Sequence, residues 1–249
     1  MESTAEVKNL QIAIDVAKKA GEFLLQTRRG DVKVNSSIDK DIKLAADVAS
    51  EKLIIDLLAS MSTYDILSEE SGLAKQGDKD GFRWIIDPLD GSLNYLRGID
   101  INGVSIGLWK KDTPVLGVVF DFLHNLMYTG VAEEDTAYCN GHPISVSAIV
   151  DKSDSIIATG FPVYSSFDKD TLYNFITDVQ QYKKVRLFGS AALSLVHVAK
   201  GSVEAYKENN IAVWDVAAGL AIVLAAGGKI NFTQGKGPNY LNVYASNGQ

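Results

Sequence analysis

The first part of the chain places apolar and polar residues with the period of an α-helix. Between Thr4 and about Arg28, apolar side chains recur every three or four positions while charged residues fall on another face. This pattern predicts an amphipathic helix. A polar stretch at 34–41 predicts a loop, and a second helix is predicted from about Ile42 to Ala59. The buried side of that second helix is expected to consist of Ala45, Val48, Ala49, Leu53, Ile54 and Leu57.

Short apolar runs separated by turn residues come next, and they predict β-strands. The first two are Tyr64–Leu67 and a run from Phe82 that should stop at Asp87. Pro88 has no backbone N–H group and is expected to take the chain out of the sheet. Four further runs predict an antiparallel meander. They cover residues 103–109, 115–120, 126–129 and 144–146.

Helical and strand patterns alternate after about Asp151. The predicted order is strand 156–158, helix 171–181, strand 184–187, helix 191–199, strand 203–206, helix 213–226 and strand 229–232. Such alternation is typical of a mixed α+β or α/β fold in which helices cover a sheet. We therefore expect a single domain over residues 1–249, with subdomains 1–150 and 151–249.

Composition and charge narrow the class of protein. With 46% apolar and 22% charged residues, the chain of 249 residues has the balance of a folded globular protein. Its net charge of −7 argues against nucleic acid or a membrane as a partner, because both require a basic surface. An acidic protein that acts on a phosphate ester would need a cation to offset the repulsion.

Cysteine content and hydropathy favour a cytoplasmic protein. Cys139 is the single cysteine, so no disulfide forms within the chain. The first ten residues lack the apolar core of a secretion signal. The longest apolar run, at 216–227, is shorter than the roughly 20 residues that a membrane span needs.

The segment Trp-Ile-Ile-Asp-Pro-Leu-Asp-Gly-Ser-Leu-Asn-Tyr at 84–95 carries the strongest chemical signal. Asp87 and Asp90 are separated by a stiff connection, and Ser92 begins a predicted helix. Two carboxylates presented in this way suit a divalent cation, which prefers oxygen ligands. The same residue types also make an ordinary tight turn. This segment alone leaves both interpretations open.

Two further acids lie at the ends of predicted elements. Glu69 follows the strand at 64–67, and Asp215 lies in the first turn of the helix at 213–226. Taken singly, Glu69 is typical of a solvated carboxylate and Asp215 of a helix cap. Together with Asp87 and Asp90 they can converge on one crevice, where a metal would have to neutralise their repulsion.

Three blocks, in order along the chain, resemble the inositol monophosphatase family. They are Ser-Glu-Glu-Ser (68–71), the 84–95 segment and Trp-Asp-Val-Ala-Ala-Gly (214–219), with Gly-Ser-Ala-Ala (189–192) before the last. The similarity extends over nearly the whole chain. It implies the layered αβαβα sandwich of the sugar phosphatases. It also implies a homodimer and magnesium-dependent, lithium-sensitive hydrolysis of a phosphate monoester, in which a metal-activated water attacks directly.

The resemblance also implies a role for each matching residue. The ligands of two or three Mg²⁺ ions would be Glu69, Asp87, Leu89 through its carbonyl, Asp90 and Asp215. The catalytic residues would be Glu69, Ser92 and Asp90, and the phosphate would be bound by Gly91 and Ser92. Asp47 would lie in the outer shell of a further metal site. The alcohol part of the substrate would contact Gly189, Ser190, Ala191 and Glu208.

The chain departs from the family pattern in three places. Ser92 stands where threonine is usual, and Tyr95 stands where phenylalanine is more common. The loop at 35–41 lacks the frequent Ser-Pro-Val-Thr pattern, which leaves the roles of Asp39 and Asp41 open. The sequence therefore specifies the type of reaction better than it specifies the substrate.

Inositol monophosphate is the expected substrate. Relatives of this size also hydrolyse fructose 1,6-bisphosphate or 3′-phosphoadenosine 5′-phosphate, whose second phosphate needs a further basic contact. Arg97 and Arg186 are the basic residues nearest the motifs. A non-catalytic binding module is the alternative of another class. Such proteins normally lose at least one ligand acid, and all four are present here.

Overall fold

The computed structural model describes residues 2–28, 34–38, 41–77, 80–161 and 168–249. Its helices are α1 Glu2–Arg28, α2 Ala45–Met61, α3 Ser92–Arg97, α4 Lys169–Val179, α5 Ala191–Ala199 and α6 Val213–Ala225. Its strands are β1 Val34–Ile38, β2 Asp41–Leu44, β3 Asp65–Ser68, β4 Gly72–Lys75, β5 Phe82–Asp90, β6 Gly103–Lys110, β7 Thr113–Asp121, β8 Leu126–Val131, β9 Ala137–Cys139, β10 His142–Ile144, β11 Ile156–Thr159, β12 Lys184–Arg186, β13 Ala205–Ala212, β14 Lys229–Gln234 and β15 Tyr240–Ser246.

The larger sheet has eight strands in the order β10-β9-β8-β7-β6-β5-β3-β4. From β5 to β10 each strand pairs antiparallel with the next in sequence, which confirms the predicted meander. β9 was not predicted, and β10 ends at Ile144, where the predicted strand 144–146 begins. β3 runs parallel to β5, so these two strands end at the same edge. α1 and α2 cover one face of the sheet, where Leu24, Ile54 and Trp84 are fully buried.

α5 and α6 lie on the other face of this sheet. Under α6 the sheet presents a row of glycines, Gly107, Gly117 and Gly130, which are paired across β6, β7 and β8. A Cβ atom built on Gly117 would stand 2.0 Å from the carbonyl oxygen of Ala218. Helix and sheet therefore touch backbone to backbone, and α6 has a fixed place over the strands.

The smaller sheet has five strands in the order β12-β11-β13-β15-β14. It is mixed, because β11 runs parallel to β12 and β13 while β15 is antiparallel to β13 and β14. α5 and α6 pack on one face, and α4 packs on the other through Phe175 and Val179. Two mixed sheets with helices between and outside them confirm the predicted α+β class and αβαβα layering.

The proposed division at residue 151 stays a prediction. The buried cluster around α5 and α6 draws residues from both sides of that boundary, including Leu67 and Ala245. None of the helices within the described residues has the length and apolar character required to cross a membrane.

Three local predictions in this part of the chain are wrong. Residues 34–38 and 41–44 form an antiparallel hairpin and not the predicted polar loop. The hydrogen bonds between two strands join backbone groups, so they do not require apolar side chains. α2 consequently begins at Ala45 and not at Ile42. β5 also continues past Pro88 to Asp90.

The buried face of α2 differs from the predicted one. Val48, expected inside, is 45% exposed, and of the predicted set only Ile54 is fully buried. The buried residues of the helix are Ala46, Asp47, Ser50, Glu51, Ile54 and Leu58. Half of this face is polar, which is unusual for a helix packed on a sheet.

Candidate active site

The end of β5 carries Asp87 and Asp90 on a β-bulge. Between these two residues, two positions of β5 oppose a single position of β6. Pro88 occupies one of the bulged positions, where its missing N–H group is tolerated. The backbone N–H of Leu89 donates to Oδ1 of Asp87 at 2.9 Å. Both aspartates are buried, so the segment is a sharp backbone distortion that also presents two carboxyl groups.

Gly91 follows the bulge in a left-handed conformation, with φ of 87°. A Cβ atom there would stand 2.8 Å from the carbonyl oxygen of Ile101, so the position requires glycine. α3 then begins at Ser92, whose Oγ lies 2.9 Å from the carbonyl oxygen of Leu89 and 3.2 Å from Oδ1 of Asp47. The residues predicted to bind phosphate therefore lie directly beside the two aspartates.

Glu69 reaches the same place from the neighbouring strand. Because β3 runs parallel to β5, the residues that follow the two strands emerge side by side. The carboxyl groups of Glu69 and Asp87 lie within hydrogen-bonding distance. Burial, and after it the negative charges of Glu70 and Asp47, raises the pKa of Glu69 to about 8.

Asp215 joins them from the first turn of α6. The N-cap residue of this helix is Ala212, so Asp215 is not the cap that its position suggested. Its carboxyl lies within hydrogen-bonding distance of Asp87. Burial, and then the charges of Glu69 and Asp90, raises the pKa values of Asp215 and Asp87 well above their usual range.

Four carboxyl groups thus share one site, where ionised forms repel. A pair of carboxyls relieves this by sharing a proton, and a divalent cation relieves it with both groups ionised. Carboxylate and carbonyl oxygens are the ligands that Mg²⁺ prefers. In the described part of the chain, no group of three or more His, Cys, Asp or Glu side chains could hold a metal ion as the side chains stand. The fit to magnesium therefore rests on the chemistry of the donor set, since Mg²⁺ prefers oxygen ligands and keeps several waters.

Asp90 also connects the bulge to α5. Its carboxylate accepts hydrogen bonds from Oγ of Ser190 and from the backbone N–H groups of Ala191 (3.3 Å) and Ala192 (2.8 Å). Burial raises the pKa of Asp90 to about 6, although these bonds act in the opposite direction. The group is therefore mainly ionised at neutral pH.

Asn94 fixes α3 to the loop that precedes α5. Its Nδ2 group donates to the carbonyl oxygens of Ile101 (2.8 Å) and Phe188 (2.9 Å). Gly189 approaches the same side chain with φ of 73°, and a Cβ atom there would stand 3.0 Å from Nδ2. The loop at 188–190 is held in this way against the helix that follows the aspartates.

A cavity of about 200 Å³ opens beside these groups. Its lining includes all four residues predicted to contact the alcohol and two of the acids, namely Gly189, Ser190, Ala191, Glu208, Asp90 and Asp215. The hydroxyl of Tyr206 donates to Oε2 of Glu208 at 2.8 Å. Burial raises the pKa of Glu208 to about 7, while the Tyr206 bond opposes the shift.

The two arginines considered for a second phosphate lie elsewhere. Arg97 and Arg186 are exposed. Among the described residues that line the cavity there is no Lys or Arg. A second cavity, of about 260 Å³, adjoins the first and is lined in part by Lys207, whose ammonium group pairs with Asp178.

Asp47 is buried in the first turn of α2. Its Oδ2 accepts a bond from the backbone N–H of Leu44 at 2.7 Å, and its Oδ1 faces Ser92. Its part in an outer metal site stays a prediction. Asp39 and the side chain of Asp41 lie outside the described residues.

A family model described as the inositol monophosphatase family matches residues 6–248. The chain belongs to this family. It is 35% identical over 239 residues to the Nus factor SuhB of Pasteurella multocida, covering 93% of this chain and 87% of that protein. The solved inositol monophosphatase of Anabaena (Nostoc) sp. PCC 7120 is 36% identical with a TM-score of 0.81, covering 96% of this chain and 90% of that chain. The solved extragenic suppressor protein suhB of Bartonella henselae is 30% identical with a TM-score of 0.85, covering 95% of this chain and 92% of that chain.

The sequence prediction missed two residues of α2 that support the site. Oγ of Ser50 donates to the carbonyl oxygen of Pro88 at 3.1 Å, and Glu51 accepts hydrogen bonds from the turn at 68–71. With Asp47 these residues occupy positions i, i+3 and i+4 of one helix face. The spacing is visible in the sequence, but helical periodicity assigns apolar residues to the buried face.

Proposed function

We propose that the protein is a magnesium-dependent phosphatase of small phosphate monoesters, with inositol monophosphate as its substrate. The convergence of Glu69, Asp87, Asp90 and Asp215 beside a polar cavity carries this proposal. Membership of the inositol monophosphatase family supports the reaction class. Similar proteins are named both as Nus factors and as inositol monophosphatases, so their names do not identify the phosphate ester that this protein hydrolyses.

The four carboxylates and the carbonyl of Leu89 would hold two or three Mg²⁺ ions. When bound, the metal offsets the negative charge of the phosphate and lowers the pKa of a water molecule. It would also replace the shared protons among Glu69, Asp87 and Asp215. A bound cation would also offset the overall negative charge of −7 for an anionic substrate.

Glu69 and Ser92 would position the attacking water. Ser92 can donate its hydroxyl hydrogen to Asp47 or Leu89, which leaves lone pairs of Oγ to accept a hydrogen from that water. The carboxylate of Glu69 lies on the other strand end and would accept a proton from the water. The backbone N–H groups of Gly91 and Ser92 would bind the phosphate oxygens.

The alcohol part of the substrate would contact the loop at 189–191 and Glu208. Asp90, the third predicted catalytic residue, holds that loop against the metal ligands through Ser190 and Ala192. A carboxylate and backbone groups in a cavity of about 200 Å³ suit the hydroxyls of one sugar or cyclitol ring.

The alternative substrates, fructose 1,6-bisphosphate and 3′-phosphoadenosine 5′-phosphate, carry a second phosphate that requires a cationic contact. The described lining of the cavity provides no Lys or Arg. Lys207 in the adjoining cavity is already paired with Asp178. These observations favour a monophosphate.

A substrate panel tests the proposal. Phosphate release would be measured from inositol 1-phosphate, fructose 1,6-bisphosphate, 3′-phosphoadenosine 5′-phosphate and glycerol 2-phosphate, with Mg²⁺ and with a chelator. We expect inositol 1-phosphate to have the highest kcat/KM, magnesium to be required and lithium to inhibit. Faster turnover of a bisphosphate would change the substrate assignment. No release from any ester would indicate a non-catalytic binding module.

Two further parts of the proposal concern the oligomeric state and the location of the protein. A homodimer is implied by the resemblance alone, and a cytoplasmic location is supported by the single cysteine. The mass of the protein in solution would test the first, and fractionation of cells would test the second.

A further inference from the structure

Glu51 of α2 is a buried carboxylate, and its hydrogen bonds with other described residues all come from one turn. The residue is 3% exposed. Its Oε1 accepts from Oγ of Ser68 and from the backbone N–H groups of Glu70 (3.1 Å) and Ser71 (3.0 Å), and its Oε2 accepts from Oγ of Ser71 at 2.5 Å. Among the described residues, no Lys, Arg or His forms an ion pair with it. A buried carboxylate is stable only when its oxygens are satisfied in such a way.

These donors lie on both sides of Glu69. Ser68 precedes it, and Glu70 and Ser71 follow it. The bonds therefore fix the backbone around Glu69 without using its carboxyl, which is directed toward Asp87. Asp47, Glu70 and Asp90 place further negative charge around this carboxyl, and an ordered turn holds it in place against their repulsion.

We propose that Glu51 is a positioning residue that holds the Glu69 turn in the geometry required for binding magnesium. This inference rests on the proposed function. α2 is anchored on the large sheet by Ile54 and Leu58, so it offers a rigid support for the turn. Residues that orient a metal ligand without touching the metal typically change metal affinity or activity by 10- to 100-fold when they are removed.

The test compares magnesium affinity in Glu51→Ala and Glu51→Gln by calorimetric titration. Glu51→Ala should bind Mg²⁺ roughly 10- to 100-fold more weakly than the unmodified protein. Glu51→Gln should restore much of that affinity, because an amide oxygen can keep the three bonds of Oε1 and the Ser71 hydroxyl can rotate to accept a bond.

Glu204→Ala is the matched control. Glu204 is also buried, and its carboxylate accepts a bond from the backbone N–H of Ile156 at 2.6 Å, outside the candidate site. Its removal should lower Tm while leaving magnesium affinity unchanged. Equal weakening in Glu51→Ala and Glu204→Ala would overturn the inference, as would unchanged affinity in Glu51→Ala. Equal weakening in Glu51→Ala and Glu51→Gln would assign the effect to charge and not to positioning.

Hydrogen exchange of the metal-free protein separates this inference from the proposed function. The amides of Glu70 and Ser71 should exchange faster in Glu51→Ala, and to a smaller extent in Ser71→Ala, which removes one bond only. If the unmodified protein neither binds Mg²⁺ nor hydrolyses an ester, the proposed function fails whatever the exchange shows. If it does both and the two amides exchange at the same rate in all variants, the inference alone fails.

Discussion

The carboxyl groups of Glu69 and Asp87 lie within hydrogen-bonding distance of each other, although Glu69 follows β3 and Asp87 lies in β5. Parallel pairing of β3 and β5 brings them together, and the bulge of β5 places Asp90 in the same site. Two carboxyls approach this closely when a proton or a cation lies between them. Protonation and metal binding should therefore compete at this site.

The metal-free protein should lose stability as the pH rises. The pKa of Glu69 is raised from 4.5 to about 8, so between these values the folded state holds a proton that the unfolded state has released. The free energy of unfolding then falls with rising pH. Glu208, with a pKa of about 7, acts in the same direction. His197, whose pKa burial lowers from 6.5 to about 4, acts in the opposite direction but only below pH 6.5.

Thermal unfolding in a chelator between pH 6.5 and 8 checks this prediction. Tm should fall across the window, and Glu69→Gln should reduce the slope. Mg²⁺ should raise Tm more at the upper end of the window, where fewer protons compete for the ligands. A Tm that rises with pH in the metal-free protein would contradict the prediction.

Two substitutions of Ser92 should separate the contribution of its hydroxyl to catalysis from that of the rest of the side chain. Ser92→Ala removes the group that bonds Leu89 and Asp47 and should lower kcat by roughly 100-fold or more, if the hydroxyl positions the attacking water. Ser92→Thr keeps the hydroxyl and should retain most of the activity. Steady-state kinetics with inositol 1-phosphate provide the comparison. Full activity in Ser92→Ala would remove Ser92 from the catalytic residues.

Glu208→Gln should raise KM for a polyol ester more than it lowers kcat. A charged hydrogen bond to a substrate hydroxyl contributes about 1.5–3 kcal/mol, which corresponds to roughly 10- to 100-fold in KM. p-Nitrophenyl phosphate has no polyol, so its kinetics should change little and serve as the control. Tyr206→Phe should give a weaker effect of the same kind, since Tyr206 orients Glu208. Equal losses with both esters would argue against contact between Glu208 and the alcohol.

Gly117→Ala should destabilise the fold without touching the site. The added Cβ would stand 2.0 Å from the carbonyl oxygen of Ala218, which belongs to the helix backbone. Relief requires α6 to shift from the sheet, and overpacking of this kind typically costs about 1–3 kcal/mol. Chemical denaturation measures the difference in the free energy of unfolding. An unchanged value would show that α6 and the sheet are less closely packed than described.

The four acids are predictable from the sequence because each lies in a short block at the end of an element. The chemistry of the proposed metal site restricts the residue types there, and Gly91 and the apolar runs locate strand and helix ends. The alternating apolar residues of β15 (Leu241, Val243) also mark a strand, although the prediction omitted it. Much of the layered fold therefore follows from local patterns.

The supporting residues are not predictable in this way. Ser50 and Glu51 are buried because they bond Pro88 and the 68–71 turn, contacts between segments that are far apart in sequence. The helical period of apolar residues does not take such hydrogen bonds into account, so it assigns Val48 to the buried face of α2. The prediction that β5 stops at Asp87 fails for a related reason. A bulge removes the requirement for an N–H group at Pro88, so the strand continues through it.

The most direct test of the proposal that the protein is a metal-dependent phosphatase is the Asp87→Asn variant, assayed with inositol 1-phosphate at saturating Mg²⁺. Asparagine keeps the volume of Asp87 and an oxygen to accept the bond from Leu89, but it removes the charge that a cation requires. Turnover should fall to background while the metal-free Tm stays equal or rises, because a repelling charge is lost. Hydrolysis at the unmodified rate by a folded Asp87→Asn protein would contradict the assignment of the site.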